Sequence, residues 1–288
     1  MATTVTAAFD ELLGRLTLTA KQREAAHGHV ANVKQFFTDN LIMAKDGAWV
    51  TGSYSRGTLT RWQRDVDLMA ALSVSEYDPT YGNDSRRFLY FVRNALDEEY
   101  ESTKVSSRVV SVKLDFSDFV VDVVPCFRRE GGGFLVPNGA GGWKATNPPF
   151  HYQLMKDADV AHGNRLKPLV RLMKAWNLAN GHHLASFHVE LMTERMWRAD
   201  KIGPYAGSVA ATLKTMPSWL RNAFPDPWSA GGNIDADLSR DDRAVAIRML
   251  EEDAANAERA IKLLGQGQPE KAFERWGVVY HGYFPAYG

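Results

Sequence analysis

Asp65 and Asp67 stand two residues apart in Asp65-Val66-Asp67-Leu68-Met69-Ala70-Ala71-Leu72, a run that reads as a β-strand. Side chains two apart on a strand point to one face. Adjacent carboxylates raise each other's pKa unless a cation neutralises them. A divalent metal is the simplest neutraliser, and oxygen ligands suit Mg²⁺ or Mn²⁺. A strand end carrying two solvated acids is the competing reading. Asp122 weighs against it. It interrupts Phe119-Val120-Val121-Asp122-Val123-Val124, a run apolar enough to be buried on both faces. A buried carboxylate is costly unless it is paired, for instance with a core arginine, or binds metal. Asp115 and Asp118 flank a turn expected at Ser117-Asp118, where water reaches them more easily. Ahead of the first pair comes Gly52-Ser53, with Ser53 twelve residues before Asp65. A glycine there lets the backbone approach a phosphate, and the serine offers an amide and a hydroxyl. Arg56 and Thr58 continue this polar segment.

The elements that must carry these residues follow from periodicity. Phe9, Leu12, Leu13 and Leu16 form one helical stripe, and Val30, Val33, Phe37 and Leu41 a second. Thr19 is the expected N-cap of the second helix, and Lys45-Asp46-Gly47 its end. Ala48–Thr51 reads as extended, 85–99 as a helix, and Val109 to Phe116 and Phe119 to Val124 as strands. Glycine clusters at 131–133 and 137–142 bracket a loop or hairpin. Beyond them the spacing predicts helices over 164–180, 186–199, 209–222 and 241–264, the last burying Ala246, Met249, Leu250, Ala257 and Ile261. The order predicts an α+β chain: a catalytic lobe over residues 1–145, N-terminal helices included, and a helical lobe over 146–288 that completes the site. Lys167, Arg171 and Lys174 fall at i, i+4 and i+7 on one helix face, either solvated or aimed at an anion. Glu190 reads as a structural ion pair on its helix rather than a fourth site carboxylate, and Trp143, Trp176 and Trp197 as packing at the junction of the lobes.

Composition bounds the rest. With 45% hydrophobic residues, the 288-residue chain can bury a sizeable core. Lys plus Arg equals Asp plus Glu at 34 each, so no global basic field points to a long nucleic-acid partner. The single cysteine, Cys126, excludes an internal disulfide, and His182, His183 and His188 lack the partners of a zinc site. No apolar run is long enough to span a bilayer and no signal segment is present, so a cytoplasmic location is expected.

The motifs resemble the polymerase-β-like nucleotidyltransferase superfamily, and more narrowly the bacterial cGAS/DncV-like nucleotidyltransferases (CD-NTases) of CBASS anti-phage signalling. Gly52-Ser53-Tyr54-Ser55-Arg56-Gly57-Thr58, Asp65-Val66-Asp67 and Val121-Asp122-Val123-Val124-Pro125 carry the superfamily likeness. Lys174-Ala175-Trp176 and Ser186-Phe187 narrow it to the branch that makes cyclic nucleotides. The resemblance implies a mixed β-sheet packed on a helical lobe. It implies two Mg²⁺ ions (or Mn²⁺) on the catalytic aspartates Asp65, Asp67 and Asp122, and ATP and other NTPs as substrates. Gly52, Ser53, Arg56, Lys174 and Ser186 would then line the nucleotide, with Phe187 stacked on a base. The implied product is a cyclic di- or trinucleotide that reaches a downstream effector, with pyrophosphate released. Some members are joined through a C-terminal Gly or Ala to other proteins by ubiquitin-transfer-like enzymes. Gly288 is therefore a candidate conjugation site, on a tail expected to be flexible, or simply a terminal glycine; another CBASS regulator is the alternative partner. A template-independent RNA-tailing enzyme, or a silent nucleotide-binding module, would carry the same three aspartates. The bases joined, the linkage and any trigger depend on pocket side chains that spacing does not place.

Overall fold

The computed structural model describes residues 2–288. Two helices open the chain, α1 (Val5–Leu16) and α2 (Ala20–Asn40). Thr19 caps α2 as expected, in a reciprocal capping box with Gln22. Strand β1 (Met43–Thr51) begins earlier than predicted. Lys45-Asp46-Gly47 lies inside it, where the register to β2 shifts between Met43 and Ala48. The phosphate-type segment is a single helical turn, α3 (Gly52–Arg56), closed by left-handed Gly57.

Strand β2 (Asp65–Leu72) and helices α4 (Val74–Tyr81) and α5 (Ser85–Glu99) follow. The strand expected over Val109 to Phe116 is two shorter ones, β3 (Lys104–Ser107) and β4 (Val112–Asp115). Between them Arg108 N–H donates to Ser111 O at 2.7 Å in a tight turn. After β5 (Val120–Arg128), β6 (Phe134–Pro137) and β7 (Trp143–Thr146) form the hairpin among the glycines.

The sheet runs β1-β2-β5-β4-β3, with β6 on β5 and β7 on β6. β2 and β5 are parallel and every other pairing is antiparallel, so the sheet is mixed as the family likeness implied. Side-chain alternation divides its two faces. Val66, Leu68, Val121 and Val123 point into the core shared with α2 and α5. On the other face Met69, Ala71 and Cys126 form a small apolar patch, and the aspartates of β2 and β5 lie at its end.

Helices α6 (Pro148–Ala161), α7 (Leu166–Ala179), α8 (Ser186–Trp197), α9 (Tyr205–Leu220), α10 (Arg240–Gly265) and α11 (Pro269–Val279) make the second lobe. The expected boundary at 145–146 falls inside the last residues of β7, just ahead of α6. Helix α1, however, packs into the helical lobe: Val5, Phe9, Leu12 and Leu16 join its core rather than the sheet's. Ile261, expected inside α10, is 39% exposed, and Ala260 takes the buried position. The three tryptophans do not sit at the junction. Trp143 packs on Phe88 and Phe127 within the catalytic lobe. Trp176 and Trp197 are core residues of the helical lobe, donating to Asp253 and Thr212.

Candidate active site

Strand pairing assembles the carboxylates. Asp67 lies opposite Thr51 on β1 and opposite Asp122 on β5, so Thr51, Asp67 and Asp122 share one rung across three strands. Asp65 stands on the same face, two residues along β2. Because Thr51 leads directly into α3, the same rung carries Gly52 to Asp67. A Cβ on Gly52 would lie 1.7 Å from Asp67 Oδ2, and its φ of +66° is one that other residues rarely adopt. The glycine thus lets a carboxylate come against the backbone, a reason for glycine beyond the approach to phosphate that the sequence suggests. The half-buried Ser53 follows it.

The electrostatics are those of crowded acids. Burial, with Asp65 and Asp122 adding like charge, raises Asp67 from 3.8 to about 7, against the opposing fields of Arg56 and Lys174. Burial also raises Asp122, although Arg108 pulls the other way; Asp65 adds to the rise. Asp122 is 5% exposed, and its Oδ1 accepts from Ser111 Oγ at 3.3 Å and lies 3.4 Å from Arg108 Nε. The arginine partner of a buried Asp122 is therefore present, but it reaches in from a half-exposed turn rather than from the core. Among the described residues no three His, Cys, Asp or Glu side chains converge into a ready-made metal cage. Three oxygen-donor acids on one face, one of them with its pKa raised by burial and by its acidic neighbours, nevertheless fit an open site for a hard divalent cation.

The basic residues are not a solvated face. Lys174 is 3% exposed; its Nζ donates to Thr58 O at 3.1 Å and to Glu190 Oε1 at 3.3 Å. Arg56, also buried, donates from Nε to Glu190 Oε2 at 2.8 Å, and its Cζ sits 4.9 Å from the Phe187 ring centroid. Burial would raise Glu190, but Arg56 and Lys174 outweigh it and hold the acid at about 2. Glu190 is a structural pair, as expected, although it joins three elements rather than neighbours on one helix. Lys167 pairs with Asp159 and its side chain lies beside Gly57, next in the chain to Arg56, while the half-buried Arg171 has no partner for its Nε among the described residues.

Ser186, at the start of α8, accepts from Gln63 Nε2 at 2.9 Å. Gln63 lies in the segment joining α3 to β2, so this bond also crosses between lobes. Neither Gln63 nor Arg108 carried a periodic or motif signal in the sequence. Phe187 is half-buried, with the His151 ring edge-on at 5.0 Å. His151 in turn bonds Asp226 at 2.7 Å, a buried contact that nothing in the spacing foretold. Gly288 stands apart from this cluster. Its N–H donates to Ala2 O at 3.3 Å, while Tyr287 bridges to Ala2 and packs on Phe273. The tail is docked almost to its last residue, not loose as expected.

With this geometry in place, comparison with known proteins decides the family. Residues 3–159, more than half the chain, match the Second Messenger Oligonucleotide or Dinucleotide Synthetase domain. The chain belongs to this family. It is a CD-NTase, a nucleotidyltransferase of the kind that makes cyclic oligonucleotide messengers. A cyclic AMP-AMP-AMP synthase from Acinetobacter sp. (strain ATCC 27244 / 9458) is 29% identical over 262 residues, covering 82% of this chain and 72% of that protein. The fold of CdnC from E. coli MS115-1 solved with ATP superposes with a TM-score of 0.79 at 18% identity, over 98% of this chain and 99% of that one. CdnC in complex with a HORMA protein gives 0.78 at 17% identity, over 97% of each chain. These structures share the polymerase-β-like architecture. No helix among the described residues is long and apolar enough to cross a membrane.

Proposed function

We propose that this CD-NTase condenses NTPs, ATP among them, into a cyclic di- or trinucleotide on the Asp65–Asp67–Asp122 face. The observation that carries this reading is the Thr51–Asp67–Asp122 rung with Gly52 pressed against Asp67. Asp65, Asp67 and Asp122 would hold divalent ions, Mg²⁺ or Mn²⁺. Bound there, the ions would neutralise the acids and polarise the reacting phosphate and hydroxyl. In the reaction a ribose hydroxyl oxygen bonds the α-phosphorus, the bond from that phosphorus to the bridging oxygen breaks, and pyrophosphate leaves. Asp122 Oδ2, which Ser111 and Arg108 leave unengaged, takes the hydroxyl proton. Gly52 and Ser53 bring the backbone to the triphosphate, Lys174 and Arg56 supply positive charge, and Ser186 orients the phosphates. Phe187 offers ring surface to a base.

Labelled NTPs with Mg²⁺ or Mn²⁺, followed by phosphatase, test the proposal. A phosphatase-resistant product is expected from the wild type and none from the Asp65→Ala, Asp67→Ala double variant. Equal behaviour of the two proteins would remove these residues from the chemistry, and extension of an RNA primer would redirect the reading to RNA tailing. Gly288 is proposed as a conjugation point for a ubiquitin-transfer-like enzyme, which requires the tail to leave Ala2. Intact mass after co-expression reads this directly, and an unmodified Gly288 rejects it.

A further inference from the structure

Glu190 is completely buried, yet two cations keep it ionised. Its carboxylate is divided between them, Oε2 taking Arg56 Nε and Oε1 taking Lys174 Nζ. Arg56 belongs to α3, Lys174 to α7 and Glu190 to α8, so the triad ties the catalytic lobe to the helical lobe. Each cation is held by only part of its donor set. An ammonium has three N–H donors; Glu190 and Thr58 O occupy two on Lys174. A guanidinium has five, and among the described residues no acceptor bonds Nη1 or Nη2 of Arg56. Arg56 is itself part of the Gly52–Thr58 segment, and Lys174 Nζ bonds the Thr58 carbonyl, so both cations lie against the phosphate segment.

We infer that Glu190 is a positioning residue for the triphosphate: it grips Lys174 and Arg56 by one donor each and leaves their other N–H groups for phosphate oxygens. The inference rests on the proposed triphosphate site. A glutamine at 190 keeps the shape but has one acceptor oxygen. Its amide would face one of the two cations with N–H groups, and that cation would turn away.

Titration calorimetry with an α,β-methylene ATP analogue, which cannot transfer its nucleotide, reads the effect without turnover. Glu190→Gln is expected to bind the analogue roughly tenfold or more weakly, the loss of about one charge-assisted hydrogen bond. In a Lys174→Met background the same change should cost much less, because one of the two cations it acts through is gone. That double variant also restores the local charge balance, so it remains informative should Glu190→Gln alone fail to fold. Melting temperatures are measured alongside. A lower melting temperature with wild-type affinity would make Glu190 purely structural. Equal costs in the two backgrounds would likewise overturn the inference. A wild type that does not bind the analogue would instead remove the nucleotide site itself.

Discussion

At the scale of single residues, Gly52 has a reason to be glycine that its motif does not contain. The motif suggests a close approach of backbone to phosphate, whereas the first atom a side chain would strike is Asp67 Oδ2. That contact exists because β1 and β2 pair antiparallel, a long-range fact that no local spacing contains. Gly52→Ala should therefore displace Asp67 and lower the rate of product formation by about a hundredfold, the usual order for an ångström-scale misplacement. Circular dichroism should show the fold retained, since the φ strain alone costs only about 1 kcal/mol. A rate within a few-fold of wild type would show that Asp67 tolerates the push. Asp67 itself gives a pH signature. Its folded pKa is raised from 3.8 to about 7, so between those values the native state holds a proton that the unfolded chain has released. Stability from this group is complete below about 4 and is lost as pH rises to 7. In metal-free protein, thermal melts should therefore show Asp67→Asn gaining on wild type as pH rises through that window. Mg²⁺ should raise the wild-type melting temperature more at pH 7.5 than at pH 5. A pH-independent difference between the two proteins would contradict the buried-acid picture.

At the scale of elements, legibility followed how strongly each segment declares its own environment. Helix α5 was readable to the residue because Phe88, Val92 and Leu96 repeat on one face, and Asp84 caps its first turn. Of the aspartate strands, β2 was readable because acids alternate with Val66 and Leu68, and β5 because Asp122 interrupts a run of valines. Helix α4 has no buried residue, and β3 has four residues with only Val105 inside, so neither offers a pattern to detect. Helix α6 is missed for a related reason: it buries a histidine and an aspartate beside Met155, which blurs the stripe. Lys45-Asp46-Gly47 looks like a helix stop but is absorbed by the irregular register of β1. Where the signal is chemical it is testable. Thr19 accepts from Gln22 N–H and Gln22 Oε1 accepts from Thr19 N–H at 3.0 Å, closing α2 behind the sheet. Thr19→Ala should lower stability by about 1 kcal/mol in denaturant melts, while Thr19→Ser should retain most of it. Equal losses in both variants would mean that the threonine methyl matters rather than the cap.

At the scale of the whole molecule, the chain crosses between lobes more often than its sequence order suggests. Helix α1 comes first but belongs to the second core: Phe9 meets Trp276 at 4.9 Å and Phe284 at 5.0 Å, both edge-on, and lies 6.2 Å from Tyr280. The C-terminal residues close the same cluster, with Tyr287 bridged to Ala2. Periodicity could find the α1 stripe but not its destination, because an apolar face fits any apolar partner. The first and last segments thus form one unit, and the catalytic sheet between them is fastened to it through Arg56–Glu190–Lys174 and Gln63–Ser186. Phe9→Ala opens the aromatic cluster without touching those ties. It should cost about 3–5 kcal/mol, the usual price of truncating a buried phenylalanine. Hydrogen exchange locates the damage. If the lobes are separate cooperative units, amides of α11 and residues 280–287 should exchange faster while those of β2 and β5 keep their protection. Uniform acceleration across both lobes would mean that the contacts between them, the buried ion triad, the Gln63 bond, the Arg61 N–H to Leu16 O bond and the Trp62–Tyr283 pair, couple them into one unit. In that case loosening the C-terminal tail, including any modification at Gly288, would reach the aspartates through the fold itself.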